Sequence, residues 1–340
     1  INMFKKLSLY LRTMKYLKPI QVYWRFFHII IRKVHFVKNP NVTLSEVQNK
    51  KWIKINLKNS YYNNRLHLKI LNTSYDLRKN GWDSNKFPKL LIYNVHYFEY
   101  ILCQNKKPSK NFEQSIILDW IKKNPIGKTI GWDSYPTSLR IVNWIKWMLN
   151  ENIYDKRILD NLSIQSNWLF SRIEWHLLAN HLFVNAKALI FSGIFFNGKI
   201  AENWLSKGLK ILKKQLNEQI LEDGGHFELS TMYHGLILED ILDLINLGIS
   251  YSNSLNKSQR SFFLNLKILA TRMLYWHEKM HHPDNKISFF NDATFEISSD
   301  YIKLNQIAKK LGIKNKKGDK NFNFFEKNDY FRFDKWSVVL

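Results

Sequence analysis

The sequence of 340 residues predicts a mainly α-helical protein built of antiparallel helical hairpins, and three observations carry that expectation. From about Asn111 onward, apolar residues recur at three- and four-residue spacing, the period of amphipathic helices, and no strand pattern separates one helix from the next. Turn and capping residues punctuate the periodic stretches where helices should begin or end. A composition that is 45% hydrophobic, with 12 Gly and 7 Pro, can fill a sizeable core and excludes a collagen-like or disordered chain.

Taken in order, residues 1–90 form a basic, partly helical segment. Ile20 to Val37 is its most apolar stretch, but Arg25, His28, Arg32 and Lys33 interrupt it. It reads as a basic amphipathic helix that packs on the body or makes a peripheral contact with a membrane surface. No run approaches the roughly 18 apolar residues of a membrane span. Ile1 to Pro19 has the basic start of a signal peptide without its apolar stretch or cleavage site, which leaves periplasm and cytoplasm of a bacterium both open. Leu90 to Val95 reads as a short strand, with turn residues around Gly81. Residues 91–315 form the helical domain, with helices predicted over 111–123, 137–151, 155–175, 178–196, 200–221, 232–248, 256–282 and 300–312. Pro136 precedes one helix and Gly198 follows another, Asp223-Gly224-Gly225 forms a turn, Gly248 reads as a C-cap and Pro283 as a stop. Residues 316–340 read as the beginning of a β-rich domain: Tyr330 to Phe333 and Trp336 to Leu340 are strand-like, and Asp334-Lys335 makes the turn.

The charge balance narrows the partners. Against 28 acidic residues stand 52 Lys and Arg, a net +24, which favours nucleic acid, acidic lipid or acidic polysaccharide. No helix-turn-helix, zinc-finger or base-stacking sheet motif accompanies the charge, so nucleic acid is not expected. The single cysteine, Cys103, excludes an internal disulfide and a Cys-rich zinc module.

Three clusters could carry chemistry. In Asp223 to His234, two glycines open a tight turn and His226, Glu228, Tyr233 and His234 crowd titratable groups ahead of an apolar helix. The plainer alternative is a helix capped by Ser230 with its histidines exposed. In Leu177 to Ala188, Asn180 and His181 stand side by side in an apolar helix, while Asn185 and Lys187 interrupt its apolar surface. Such groups face a cleft or belong to a satisfied buried network. In Gly131 to Trp147, Arg140, Asn143, Trp144 and Trp147 share a helical face, with Trp132 and Tyr135 at its start. Aromatic planes suit pyranose rings and Arg suits a carboxylate or sulfate, although the same spacing suits a Trp-rich core seam. His277-Glu278-Lys279-Met280-His281 matches the H-E-x-x-H zinc pattern, but His282 and Pro283 end that helix at once, so neither a metal nor another cofactor is expected.

The motifs His96-Tyr97-Phe98, Trp132-Asp133-Ser134-Tyr135-Pro136, Arg140 to Trp144, Asn180-His181-Leu182-Phe183, Gly224 to Glu228, Tyr233-His234 and Phe290-Asn291-Asp292-Ala293 together resemble the heparinase II/III-like polysaccharide lyases, of the type associated with bacterial surface-polysaccharide clusters. The resemblance implies an incomplete (α/α) toroid followed by a β-sandwich. It implies an acidic, uronate-containing polysaccharide as substrate, cleaved by β-elimination. On it, Asn180 matches the residue that neutralises the uronate carboxylate, His181 an active-site histidine and Tyr233 the catalytic tyrosine. Trp132, Tyr135, Arg140, Asn143, Trp144, His226, Glu228 and His234 are expected to bind or orient substrate. An ionised Tyr233 would need nearby positive charge, for which the surplus of 24 offers a source. Two other readings remain at this stage: a protein that only binds an acidic glycan, and a glycoside hydrolase whose carboxylate pair would be Glu228 and Asp133.

Overall fold

The computed structural model describes residues 12, 17–31, 39–46, 51–55, 61–62, 66–103, 109–313, 330–333 and 336–339. Most of the basic start, residues 32–37 of the expected amphipathic helix, and the turn Asp334-Lys335 lie outside the described residues. Helix α1 (Pro19–Ile31) leads to a two-residue strand β1 (Thr43–Leu44). The antiparallel meander β2 (Tyr61–Tyr62), β3 (His67–Ile70) and β4 (Thr73–Asp76) follows, then the one-turn helix α2 (Leu77–Asn80) and α3 (Lys89–Tyr97). Leu68 faces Tyr75 across β3 and β4, and both are buried.

Helix α3 replaces the strand expected at Leu90 to Val95. Pro88 stands extended at its N-cap, and the buried residues Leu91, Ile92, Val95 and His96 line one helical face. Six apolar-rich residues carry too little periodicity to separate the two structures, and burial of adjacent Leu91 and Ile92 decides for the helix.

The expected helices follow as α4 (Lys110–Lys123), α5 (Ser134–Glu151), α6 (Lys156–Phe170), α7 (Ala179–Phe195), α8 (Lys199–Gln219), α9 (Thr231–Ser250), α10 (Lys257–Lys279) and α11 (Tyr301–Lys310). A two-residue strand, β5 (Phe196–Asn197), pairs with β1, and β6 (Tyr330–Phe333) pairs with β7 (Trp336–Val339) as the alternation predicted. Several boundaries differ from expectation: α5 starts at Ser134 rather than 137, which puts Pro136 inside its first turn, and α10 stops at Lys279 rather than 282. The sixth helix stops at Phe170 rather than 175, leaving a loop over 171–178. Gly248 lies inside α9, where a Cβ would sit 2.5 Å from the Phe263 ring, so the glycine admits α10 at close range instead of capping α9.

The hairpins form two layers. Helices α5, α7 and α9 are buried almost all round; every residue of α7 from Leu182 to Phe195 is buried. Their partners α6, α8 and α10 bury one stripe each, as outer helices do. Helix α7 packs on α5, α8 and α9, and the ring of hairpins is an incomplete (α/α) toroid. Ile55, Leu68, Tyr75, Leu77 and Trp82 join the same core. Helix α1 rests on the 171–178 loop, with Trp24 stacked 6.2 Å from Trp175 and the Gln21 amide donating to the His176 carbonyl. Among the described residues, no helix is long and apolar enough to cross a membrane.

Where the inner helices meet, three charges are buried and a fourth, Asp240, is partly buried beside them. Lys146 of α5 donates to both Asp243 oxygens of α9 at 2.8 and 2.9 Å, and Lys187 of α7 bridges Asp240 and Asp243 at 2.6 Å each. Removing one partner of such a cluster strands its neighbours without solvation. Asp243→Ala is expected to cost about 3–5 kcal/mol in denaturant unfolding. Lys199→Ala, which breaks an exposed pair with Glu202, should barely move the midpoint.

Candidate active site

The loop after α6 delivers the chain to α7 through strained backbone. The Glu174 carbonyl accepts from Leu177 and Leu178 N–H, and Leu178 (φ 65°) and Ala179 (φ 46°) both take positive φ. Such conformations are disfavoured for residues with a Cβ and concentrate where a site must be held in place. They set Asn180 and His181 in the first turn of α7. The His181 ring lies 4.5 Å from the Tyr135 ring, and its Nδ1 is 3.3 Å from Glu174 Oε2. That nitrogen is buried, although the contact is off the axis of a good hydrogen bond. One third of the side chain stays exposed, so the open edge of the ring carries Nε2. The Asn180 amide is half-buried and makes no hydrogen bond among the described residues.

A second strained turn presents Tyr233. Gly224 takes φ +90° where a Cβ would meet the Arg272 backbone at 2.8 Å. Gly225 N–H donates to Asp223, Leu229 takes φ 54°, and Ser230 caps α9 by accepting from Tyr233 N–H. The segment 288–292 laces this turn: Ser230 donates to the Asp292 carbonyl at 2.6 Å, Thr231 to the Ser288 carbonyl, and Asn291 to the Glu228 carbonyl. The Tyr233 hydroxyl points at Asp292 Oδ2, 3.4 Å away. Burial, then Asp292 and Glu228, raise the Tyr233 pKa, and burial with Asp292 raises that of Glu228. The positive charge expected beside this phenol is therefore replaced, among the described residues, by carboxylates, and Tyr233 is held neutral.

Tyr135 lies beside His181 and within electrostatic reach of Tyr233. It touches His181, packs 5.9 Å from Tyr97, and its pKa is raised by burial and then by Asp240, Glu99, Tyr233 and Glu174. Tyr135, His181 and Tyr233 are the second or third residues of α5, α7 and α9, while the Lys146, Lys187 and Asp243 contacts lie 6 to 11 residues further along the same helices. Two contact levels in the same order make the three helices parallel, with their N-termini at the same end of the ring. Their positive dipole ends favour an anion there.

Other expected site residues lie elsewhere. Arg140 is fully buried. It donates to Gln165, to the Gly131 and His96 carbonyls and to Thr137, and lies 3.8 Å over the Trp120 ring. Trp132 and Trp144 pack around the same Trp120. The shared helical face is thus the core seam, because apolar rings and a guanidinium stacked on them satisfy one another without solvent. Asn143 is buried and donates to the Tyr97 carbonyl. His226 and His234 are completely buried, facing Gln219 and the Met273 carbonyl, rather than exposed or in the trough. Asp133 is engaged by Lys89 and the Tyr93 hydroxyl. In the H-E-x-x-H stretch His277 is buried and His281 Nδ1 faces the His277 carbonyl. Among the described residues no group of three His, Cys, Asp or Glu side chains could hold a metal.

Sequence reading missed Glu174, because helical periodicity ran through it to residue 175. It also missed the acidic neighbour Asp292, and the ionic cluster, for which Lys146, Lys187 and Asp243 on otherwise apolar helix faces were the available signal.

Buried neutral histidines give the fold a pH limit. Burial foremost lowers the pKa of His96 to about 3, His226 to about 4 and His234 to about 3, and that of His277 well below the ordinary value. A histidine depressed in the folded state contributes stability that is complete above the unfolded value, about 6.5, and is lost as the pH falls below it. Unfolding free energy should fall between pH 6.5 and 4.5 by about 1.4 kcal/mol per pH unit for each such ring. Urea titrations across that range measure the slope, and His234→Gln should make it shallower by one proton.

Comparison with known proteins agrees with this architecture. Residues 100–315 match the family described as Heparinase II/III N-terminus. A heparin-sulfate lyase of Bacteroides stercoris is 26% identical over 137 residues, covering 40% of this chain and 20% of that protein. A heparin-sulfate lyase of Bacteroides thetaiotaomicron is 24% identical over 295 residues, covering 76% of this chain and 41% of that protein. The chain thus spans less than half the length of either relative. The crystal structure of heparinase III aligns with TM-score 0.53 at 20% identity, covering 84% of this chain and 48% of that one, and shares the toroidal fold. With more than half of its length matched and its helices in the same arrangement, this chain belongs to the heparinase II/III family.

Proposed function

We propose that the protein is a polysaccharide lyase that cleaves a uronate-containing acidic polysaccharide by β-elimination. The observation that carries this reading is the junction of an unengaged Asn180 amide, the open edge of His181 and the neutral Tyr233 phenol around Tyr135, at three helix N-termini. The relatives named as heparin-sulfate lyases and the net charge of +24 support an acidic glycan.

The chemistry follows from the substrate. The C5 proton of a uronate is weakly acidic, because removing it places a second negative charge beside the carboxylate. Donors that strengthen their grip as that charge develops lower the barrier. Asn180 supplies one, aided by the helix N-termini, while the lone pair on Nε2 of the neutral His181 ring takes the C5 proton. As the enolate collapses, the bond to the 4-oxygen breaks and the departing oxygen needs a proton. Tyr233, kept neutral by burial and by Asp292, is suited to give it. The product carries a C4–C5 double bond on one fragment and a hydroxyl on the other.

Full-length protein incubated with defined uronate polymers should release products absorbing near the ultraviolet edge, from a C4–C5 double bond conjugated to the carboxylate; reducing ends without that absorbance would point to hydrolysis. Tyr233→Phe should lower turnover by about 10²–10⁴-fold while glycan affinity survives. Binding without turnover on every uronate polymer would leave only a glycan-binding protein.

A further inference from the structure

We infer that Glu174, braced by Asn185, is a positioning residue that holds the His181 ring in one orientation and one tautomer, with the proton on Nδ1 and Nε2 presented to the trough. This rests on the reading of His181 as a substrate-facing group.

Glu174 is anchored more firmly than a loop residue needs to be. Its N–H donates to Asn185 Oδ1 at 2.8 Å, and its Oε2 accepts from Asn185 Nδ2 at 3.2 Å. Asn185 is completely buried in α7, and its Nδ2 also donates to Ser138 Oγ at 2.9 Å. Ser138 donates in turn to the Ser134 carbonyl of α5. One amide thus ties the loop to two inner helices.

The carboxylate does not serve as a helix cap. Helix α7 has no side-chain hydrogen bond at its N-cap, although a carboxylate at that end is a usual solution. Oε2 instead lies 3.3 Å from His181 Nδ1, a nitrogen sealed from solvent. If Nδ1 carried a lone pair, it would face the oxygen's lone pairs at that distance. With the proton on Nδ1 the contact becomes attractive, so the neighbour selects the tautomer. Tyr135 closes the other side of the ring at 4.5 Å and an interplanar angle of 50°. Rotating the imidazole would break the Glu174 contact and strike Tyr135, so both the angle and the proton of His181 are set before substrate arrives.

The test reads the tautomer directly. Long-range proton–nitrogen NMR on the histidine-labelled chain, with His181→Gln to assign the signal, should show Nδ1 protonated in the neutral wild-type ring. Glu174→Ala and Asn185→Ala should shift the ring toward the Nε2-protonated form, and Glu174→Gln, which keeps an acceptor oxygen, should retain the wild-type pattern. In full-length protein, Glu174→Ala should lower kcat by about 10–100-fold with little change in KM, and Glu174→Gln should recover much of the loss. A wild-type ring protonated on Nε2, which needs no variant to detect, overturns the inference, and so does a tautomer indifferent to Glu174→Ala. Absence of lyase activity with the tautomer shift intact would refute the proposed function while leaving the Glu174 assignment standing.

Discussion

Three buried charges and the partly buried Asp240 hold the inner ring of helices together. Lys146, Asp243, Lys187 and Asp240 link α5, α7 and α9 at one depth, and the geometry of the trough follows from that link. Apolar packing alone resists sliding weakly, since one leucine can replace another a turn away. An ion pair cannot slip by a turn without stranding a charge in the core. The cluster therefore sets the register of the three helices, and register decides whether their N-termini present Tyr135, His181 and Tyr233 to one another.

Strain lies at the opposite end of the same helices. Leu178, Ala179 and Leu229 take positive φ immediately before the residues proposed to act. Each is over-determined by its surroundings: the Glu174 carbonyl holds the first turn, and the Ser288–Asp292 segment holds the second. A rigid base and constrained tips let side chains be aimed.

The electrostatics of the trough divide by side. The His181 side offers the Asn180 amide, unengaged among the described residues, and helix N-termini, both suited to anionic oxygen, beside an open imidazole edge that can accept a proton. The Tyr233 side offers Asp292 and Glu228, which keep a phenol protonated. On the function we propose, a uronate would be gripped on the first side and relieved of its 4-oxygen on the second. Among the described residues no cation acts on the phenol, so on the function we propose the basic surplus is better matched to long-range attraction of an anionic polymer than to ionising Tyr233.

Much of this was legible before any coordinates. Periodicity gave the eight helices from Lys110 onward to within a few residues at most ends, because amphipathic spacing is local and additive. Asn180, His181 and Tyr233 stood out as polar groups at the starts of apolar helices. The tertiary structure decided what periodicity cannot encode. Trp132, Arg140 and Trp144 share a helical face, but whether that face meets sugar or Trp120 depends on which helix lies opposite. Leu90 to Val95 became helical because burial, not spacing, selects among short apolar runs. Glu174 gained its place beside His181 only when α6 ended early and the loop folded back, a contact across seven residues that no repeat announces. Sequence determines which stretches can be buried; partners in space determine which buried polar groups are satisfied, and so which are left open to a ligand.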